Sequence, residues 1–265
     1  MRSRGLKTMY AAGALLLAAG LSACGGGGDS GSGDLGLLQS GSLTVCSDVP
    51  YPPFDVQKGS TYTGFDGDLV AAMAKNMDLK VVLKDSSFDG LQSGLSLNSN
   101  QCDMVSSAMT ITPEREKNID FSKPYYDSKQ SLLVPKGSDI KSIDDLAGKK
   151  VGVQQGTTGK TYTEENAPSS TQVVSFPSDG EMFPAIKAGQ VDALLQDLPV
   201  NLDHTKGGDF TIVETYDTGE QYGFAVREKG SEPLLKEINK QLQKLRDDGT
   251  YDKLYNKYFS TNAGG

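Results

Sequence analysis

The 265-residue sequence contains no tryptophan, one histidine and three cysteines. A single His204 rules out a His-rich metal site, and a His-based catalytic triad would hang on that one residue. It precedes Lys206-Gly207-Gly208 and reads as a surface loop residue. No P-loop, no Gly-x-Gly-x-x-Gly turn and no His-Glu-x-x-His pair occurs, so no motif calls for a cofactor or a metal. Positive charge is short as well: 26 Lys and Arg against 34 Asp and Glu give a net charge of −8. Phosphate binding needs a basic face, so no nucleic-acid partner is expected. The longest apolar run, Met9 to Leu21, is too short to span a bilayer comfortably.

That run has a use of another kind. Arg2, Arg4 and Lys7 precede it and small residues follow, the layout of an export signal. Leu21-Ser22-Ala23-Cys24 resembles the lipobox of bacterial lipoproteins, which implies that Cys24 carries a diacylglycerol and becomes the mature N-terminus. An ordinary cleaved signal with an incidental cysteine is the alternative. Two acyl chains hold a protein on a membrane stably where one binds marginally. Residues 25–41, rich in Gly and Ser, read as a flexible tether. With Cys24 assigned, Cys46 and Cys102 remain as an even pair in an oxidising compartment. A disulfide between them needs close Cα atoms, which the sequence leaves open.

The remaining 220 or so residues suffice for one large domain or two lobes. Leu43 to Cys46 reads as a strand that stops at Asp48 and a proline-rich turn around Tyr51. Leu69, Val70, Met73 and Met77 recur at helical spacing, Lys80 to Leu83 is a strand, a helix runs through Leu91 and Leu95, and Asp103 to Val105 returns as a strand. The rhythm restarts with a short helix at Asp144 to Gly148, a strand at Lys150 to Val153, a helix ending at Gly189 and a strand from Val191 to Leu195. Leu234, Leu235, Ile238, Leu242 and Leu245 form the stripe of a long amphipathic helix. Gly249 breaks it before an aromatic helix with Tyr251, Leu254, Tyr255 and Tyr258, read as core. Two such α/β units suggest two lobes with a cleft between. Asp48, Ser106-Ser107, Gln154 to Thr158 and Asp197 each fall just past a strand end, where open α/β sheets bind ligands.

The stretch from Met109 to Tyr126, with Thr110, Pro113, Arg115, Asp120, Phe121 and Pro124, resembles the signature of family 3 solute-binding proteins, the polar amino-acid receptors of ABC importers. Phe65-Asp66-Gly67-Asp68-Leu69 and Gly156-Thr157-Thr158 match the same family in the same order, and the resemblance runs from about Leu43 to Phe259. It implies that Arg115 holds the ligand α-carboxylate, with Thr110 and Thr158 adding donors. A planar guanidinium fits a carboxylate with two parallel charge-assisted bonds. Ser107 would accept from the α-ammonium, beside Ala108, and Asp197 would neutralise it from the opposite lobe. Tyr51 and Phe88 would sandwich the aliphatic part, while Asp48 and Gln154 face the ligand side chain. Taken alone, Arg115 could start a surface helix, Asp197 could cap one, and Tyr51 could pack a rigid loop.

The expected fold is α/β, a two-lobed periplasmic-binding-protein-like (type II) arrangement with a hinge. Residues 1–24 are the signal, 42–128 with 225–261 form lobe 1, and 129–224 form lobe 2, with crossovers near Asp127 to Leu132 and Gln221 to Ala225. The expected function is capture of a polar amino acid, basic first and glutamine next, by hinge closure, for delivery to ABC permease subunits. The chain is expected to be a monomer, anchored outside the cytoplasm. Gly159 lacks the polar side chain that several relatives carry there, so a wetter or roomier side-chain subsite is expected. Two rivals stand: an enzyme resembling cyclohexadienyl dehydratases on the same fold, and the ligand-sensing module of a receptor.

Overall fold

The computed structural model describes residues 35–260. The signal, Cys24 and the first ten residues of the tether lie outside the described residues. Leu35 and Leu37 pack on the first hydrophobic core, and Leu38 N–H donates to the Asp103 carboxylate at 2.7 Å. The part of the tether segment that is described is therefore docked.

Strand β1 (Ser42–Ser47) is buried along its whole length, as a central parallel strand must be. A small hairpin, β2 (Val56–Lys58) and β3 (Thr61–Thr63), precedes α1 (Phe65–Asn76), whose buried face is Leu69, Val70 and Met73 and whose first turn holds Asp66 and Asp68. Then come β4 (Lys80–Asp85), α2 (Phe88–Gln92), α3 (Leu95–Asn98), β5 (Met104–Val105) and β6 (Ile119–Phe121). The single helix expected through Leu91 and Leu95 is thus two short ones. Gly94, at φ +79°, turns the chain where a Cβ would meet Ile119 at 2.9 Å.

The chain leaves this sheet along β7 (Tyr126–Pro135) and builds a second one. That sheet adds β8 (Lys150–Gln154), α4 (Thr158–Asn166), β9 (Gln172–Phe176), α5 (Asp179–Lys187), β10 (Ala193–Asp197), α6 (Leu198–Thr205) and the long β11 (Phe210–Tyr222). It returns through β12 (Ala225–Arg227), α7 (Glu232–Asp247) and α8 (Thr250–Phe259). The first sheet has the order β4-β1-β5-β12-β6 and the second β11-β7-β10-β8-β9. β1, β4 and β5 are parallel, as are β8, β9 and β10. β7 and β11 run antiparallel from Phe210↔Pro135 to Tyr222↔Tyr126, a two-stranded ribbon that carries both passages between the sheets.

Each sheet owns its cores. Leu43, Val45, Met73, Phe224, Ile238 and Leu242 fill one side of the first, and Cys46, Phe88, Leu91 and Val105 the other. Val151, Val153 and Leu195 lie under one face of the second, Met182, Ile186 and Leu194 under the other. The molecule is the two-lobed α/β fold expected from the sequence. The aromatic residues of α8 lean on the first core without being fully buried, and Tyr255 is 40% exposed. Cys46 and Cys102 form a disulfide with Cα atoms 5.7 Å apart.

Candidate functional site

The strand ends set the site. Asp48 follows β1, Gln154 ends β8 and Asp197 ends β10, so the C-terminal ends of the parallel strands of both sheets face one another. Tyr51 comes from the proline-rich turn after β1 and Phe88 from the start of α2. Ser107, Ala108 and Thr110 follow β5, Arg115 opens a 3-10 turn (Arg115–Lys117), and Thr158 starts α4. All ten residues singled out from the sequence line a single cavity, with Thr157 as an eleventh. Thr157 caps α4, its Oγ1 accepting from Lys160 N–H at 3.2 Å. The space between these side chains is about 20 Å³, little more than one water needs.

Bonds cross from lobe to lobe throughout the cavity. Tyr51 OH donates to Asp197 Oδ2 at 2.6 Å. Gln154 Nε2 donates to the Asp48 carboxylate. Arg115, 4% exposed, donates from Nη1 to Thr110 O at 2.7 Å and from Nη2 to Gly156 O at 3.0 Å, with its guanidinium 5.2 Å from the centre of the Phe88 ring. Gly156 holds φ +80°, a conformation that favours glycine, and a Cβ there would also press on Asp89 Oδ1 at 2.9 Å.

Burial shapes the charges. Desolvation raises Asp48 to about 7, and the negative charges of Asp85, Asp179 and Glu181 push the same way against the Gln154 bond. Asp197 is raised to about 7 by burial first and the Glu220 charge second. Burial pulls Arg115 down to about 10, opposed by Glu220 and Asp197, so it stays charged at neutral pH.

Beneath the cavity lies a support that sequence reading did not assign. Ala108 takes φ +44°, a left-handed conformation costly for a residue with a Cβ. Its N–H donates to Asp66 Oδ2 at 3.0 Å, an oxygen that also accepts from Tyr125 OH at 2.6 Å. Asp55 accepts from Ser47 Oγ at 2.9 Å, next to Asp48. The carboxylates of Asp55 and Asp66, both fully buried, thus pin the two loops that carry Asp48 and Ser107. Ser107 Oγ in turn accepts from Asp48 N–H at 3.1 Å.

Two expectations need correction. His204 is no surface loop residue: it lies in α6, 7% exposed, stacked on Phe183 at 3.7 Å and bonded through Nε2 to Asp179 Oδ1 at 2.9 Å. Gly159 opens no extra room, because a Cβ there would stand 2.7 Å from Gln130 Oε1 and 3.3 Å from Leu195 O. The missed residues are Gln130 and Glu220. Gln130 Nε2 donates to Asp197 Oδ1 at 2.6 Å, and Glu220 accepts from Thr110 and Thr158. Both lie inside long extended strands, where alternation of side chains says nothing of a site. Among the described residues no group of three His, Cys, Asp or Glu side chains is placed to hold a metal ion.

A cleft between two α/β lobes, lined by one buried guanidinium and facing carboxylates, defines a binding protein for a small charged or polar solute. The chain belongs to the bacterial extracellular solute-binding proteins of family 3, whose model matches residues 43–261. A probable histidine-binding protein of Neisseria gonorrhoeae is 35% identical over 268 aligned positions, covering 98% of both chains. An ancestral arginine-binding protein, solved with arginine and with glutamine, is 42% identical, with a TM-score of 0.77 over 83% of this chain and 99% of its own. An ancestral amino acid-binding protein that is a precursor of cyclohexadienyl dehydratase is 39% identical, with a TM-score of 0.76 over 83% and 96%. All three are named as binding proteins.

Proposed function

We propose that this chain is the ligand-capturing lipoprotein of an ABC importer and that its ligand is a basic amino acid. One observation carries the choice of ligand: the charges acting on Asp48 at the cavity wall, those of Asp85, Asp179 and Glu181, are all negative. A cationic side chain would pair with Asp48, whereas Asp or Glu would bury like charge against it. Arg115 holds the α-carboxylate with Thr110 and Thr158, and Asp197 and Ser107 take the α-ammonium. Tyr51 and Phe88 cover the methylenes. Glutamine is the second reading, supported by the Gln154 amide beside Asp48 and by the ancestral relative solved with that ligand.

Entry requires motion, since the cavity has space for about one water and an amino acid is several times larger. Residues 129–224 swing as one body against 42–128 and 225–261, bending at β7 and β11. Closure follows ligand because Gln154, Thr158 and Asp197 reach it only when the lobes meet. The permease subunits recognise that closed form. A diacylglycerol on Cys24 holds the monomer outside the cytoplasm. A thermal-shift screen against the twenty amino acids tests the reading, because ligand binding the native state raises the melting temperature. Arginine, lysine or histidine should give the largest rise. A rise with none of the twenty would overturn the assignment, and turnover of prephenate would favour the dehydratase alternative.

A further inference from the structure

Glu220 sits on β11 at the register break that follows Tyr216, 8% exposed. Its Oε2 accepts from Thr110 Oγ1 at 2.7 Å and from Thr158 Oγ1 at 2.9 Å, one hydroxyl from each side of the cleft. Its Oε1 accepts from Thr218 Oγ1 at 3.0 Å, and Gln130 Nε2 donates to both oxygens at 3.1 and 3.2 Å. Its charge also favours the protonated Arg115. Thr110, Thr158 and Arg115 are the groups assigned above to the ligand α-carboxylate. A carboxylate already lies on two of them and acts on the third, and it belongs to the protein. Glu220 lines the groove of about 500 Å³ next to the cavity, and Thr110, Arg115, Thr157 and Thr158 form the wall common to both.

The charge count points the same way. With Asp48 and Asp197 in their charged forms, these two and Glu220 set three negative charges against the single guanidinium of Arg115, an excess of two in a buried setting that favours a cationic ligand. A neutral zwitterion leaves that excess unchanged, and a basic amino acid removes half of it. A linear molecule with a cation at each end and no carboxylate would match Asp48 and Asp197 together and leave Glu220 in place. Buried charges persist when each finds a partner.

We propose that the cleft also binds linear dications, the decarboxylated counterparts of basic amino acids, with Glu220 supplying the carboxylate such ligands lack. This rests on the reading of the cavity as the ligand site and extends it to a class without a carboxylate. One ammonium pairs with Asp197 and the far amine or guanidinium with Asp48, while Tyr51 and Phe88 enclose the methylene chain.

The test is calorimetry at pH 7.5 on the full chain, with agmatine and cadaverine set against arginine and lysine. At least one dication should bind saturably, and its heat should vanish when arginine or lysine already fills the site. In Glu220→Gln, the ratio of dication to amino-acid dissociation constants should rise about tenfold or more, because the dication depends on that negative charge and the amino acid competes with it. Arginine or lysine binding without any dication binding would sink this proposal and leave the amino-acid reading intact. A ratio unmoved by Glu220→Gln would reduce Glu220 to a structural tie. If no ligand of either class binds, both readings fall. Should the variant not fold, the wild-type competition between agmatine and arginine decides alone.

Discussion

Lowering the pH from 7 to 5 should weaken the binding of arginine or lysine steeply. The cationic side chain needs Asp48 ionised, and Asp48 titrates at about 7 because it is buried among other negative charges. At pH 7 about half the molecules carry the charge and at pH 5 about one in a hundred, so the apparent affinity falls roughly fifty-fold, or about 2.3 kcal/mol. Asp197 is also raised to about 7, and in the role proposed for it toward the α-ammonium it adds up to a similar factor. Calorimetry in buffers of different ionisation enthalpy should show protons released on binding near pH 6, between one and two per ligand as a rough limit. The sign for stability runs opposite. Both groups have folded-state values above the ordinary carboxylate value of 3.8, so their stabilising share is present below that pH and is lost as pH rises through about 7. Without ligand the melting temperature should therefore fall from pH 5 to 8, and saturating arginine should offset the fall. Asp48→Asn should remove the Asp48 share of the pH dependence while weakening binding at pH 7.5. An arginine affinity constant within about threefold from pH 7 to 5 would refute the reasoning, because at least one required carboxylate must lose its charge in that window.

Arg115→Ala should leave the fold intact and cost about 3–5 kcal/mol of binding by stranding a buried ligand carboxylate, roughly two to four decades in affinity by calorimetry. Replacing Cys46 and Cys102 together by serine should lower stability by about 4 kcal/mol, the chain entropy of a loop spanning 56 residues, read from urea unfolding. Gly159→Ala should cost about 1–3 kcal/mol in the same assay, because its Cβ would press on the Gln130 amide that holds Asp197. His204→Ala should cost about 2–4 kcal/mol through the lost Phe183 stack and the Asp179 bond, with little change in ligand affinity.

The ends of strands were the readable part of the site. Asp48, Gln154 and Asp197 stand where a short apolar strand stops, and that position alone aims them into a cleft. Arg115 became readable only inside its motif, since an arginine beside Pro113 and Glu114 looks like surface. The helices α1 and α7 were legible because Leu69, Met73, Ile238 and Leu242 keep helical spacing against a core. Long-range pairing was not. Glu220 meets Thr110 across 110 positions, beside the bridge between Thr110 and Tyr222, and Gln130 meets Asp197 across 67, where β7 and β10 pair the two residues directly. His204 was misplaced because its neighbours Lys206 and Gly207 are loop formers, while its burial comes from Phe183 and Asp179, over twenty positions earlier.

The ribbon of β7 and β11 makes the second lobe an insert whose two ends meet. Tyr126 and Tyr222 are cross-strand partners with ring centres 5.5 Å apart, so the ninety-odd residues between them leave the first lobe and rejoin it at one place. Such a segment is a cassette: it can be exchanged between relatives at that single seam without rerouting the rest of the chain. Gln154, Thr158, Asp197 and Glu220 travel with it, while Asp48, Tyr51 and Arg115 stay behind. Recombination at the tyrosine pair would therefore trade four of the eleven residues that line the cavity in one step.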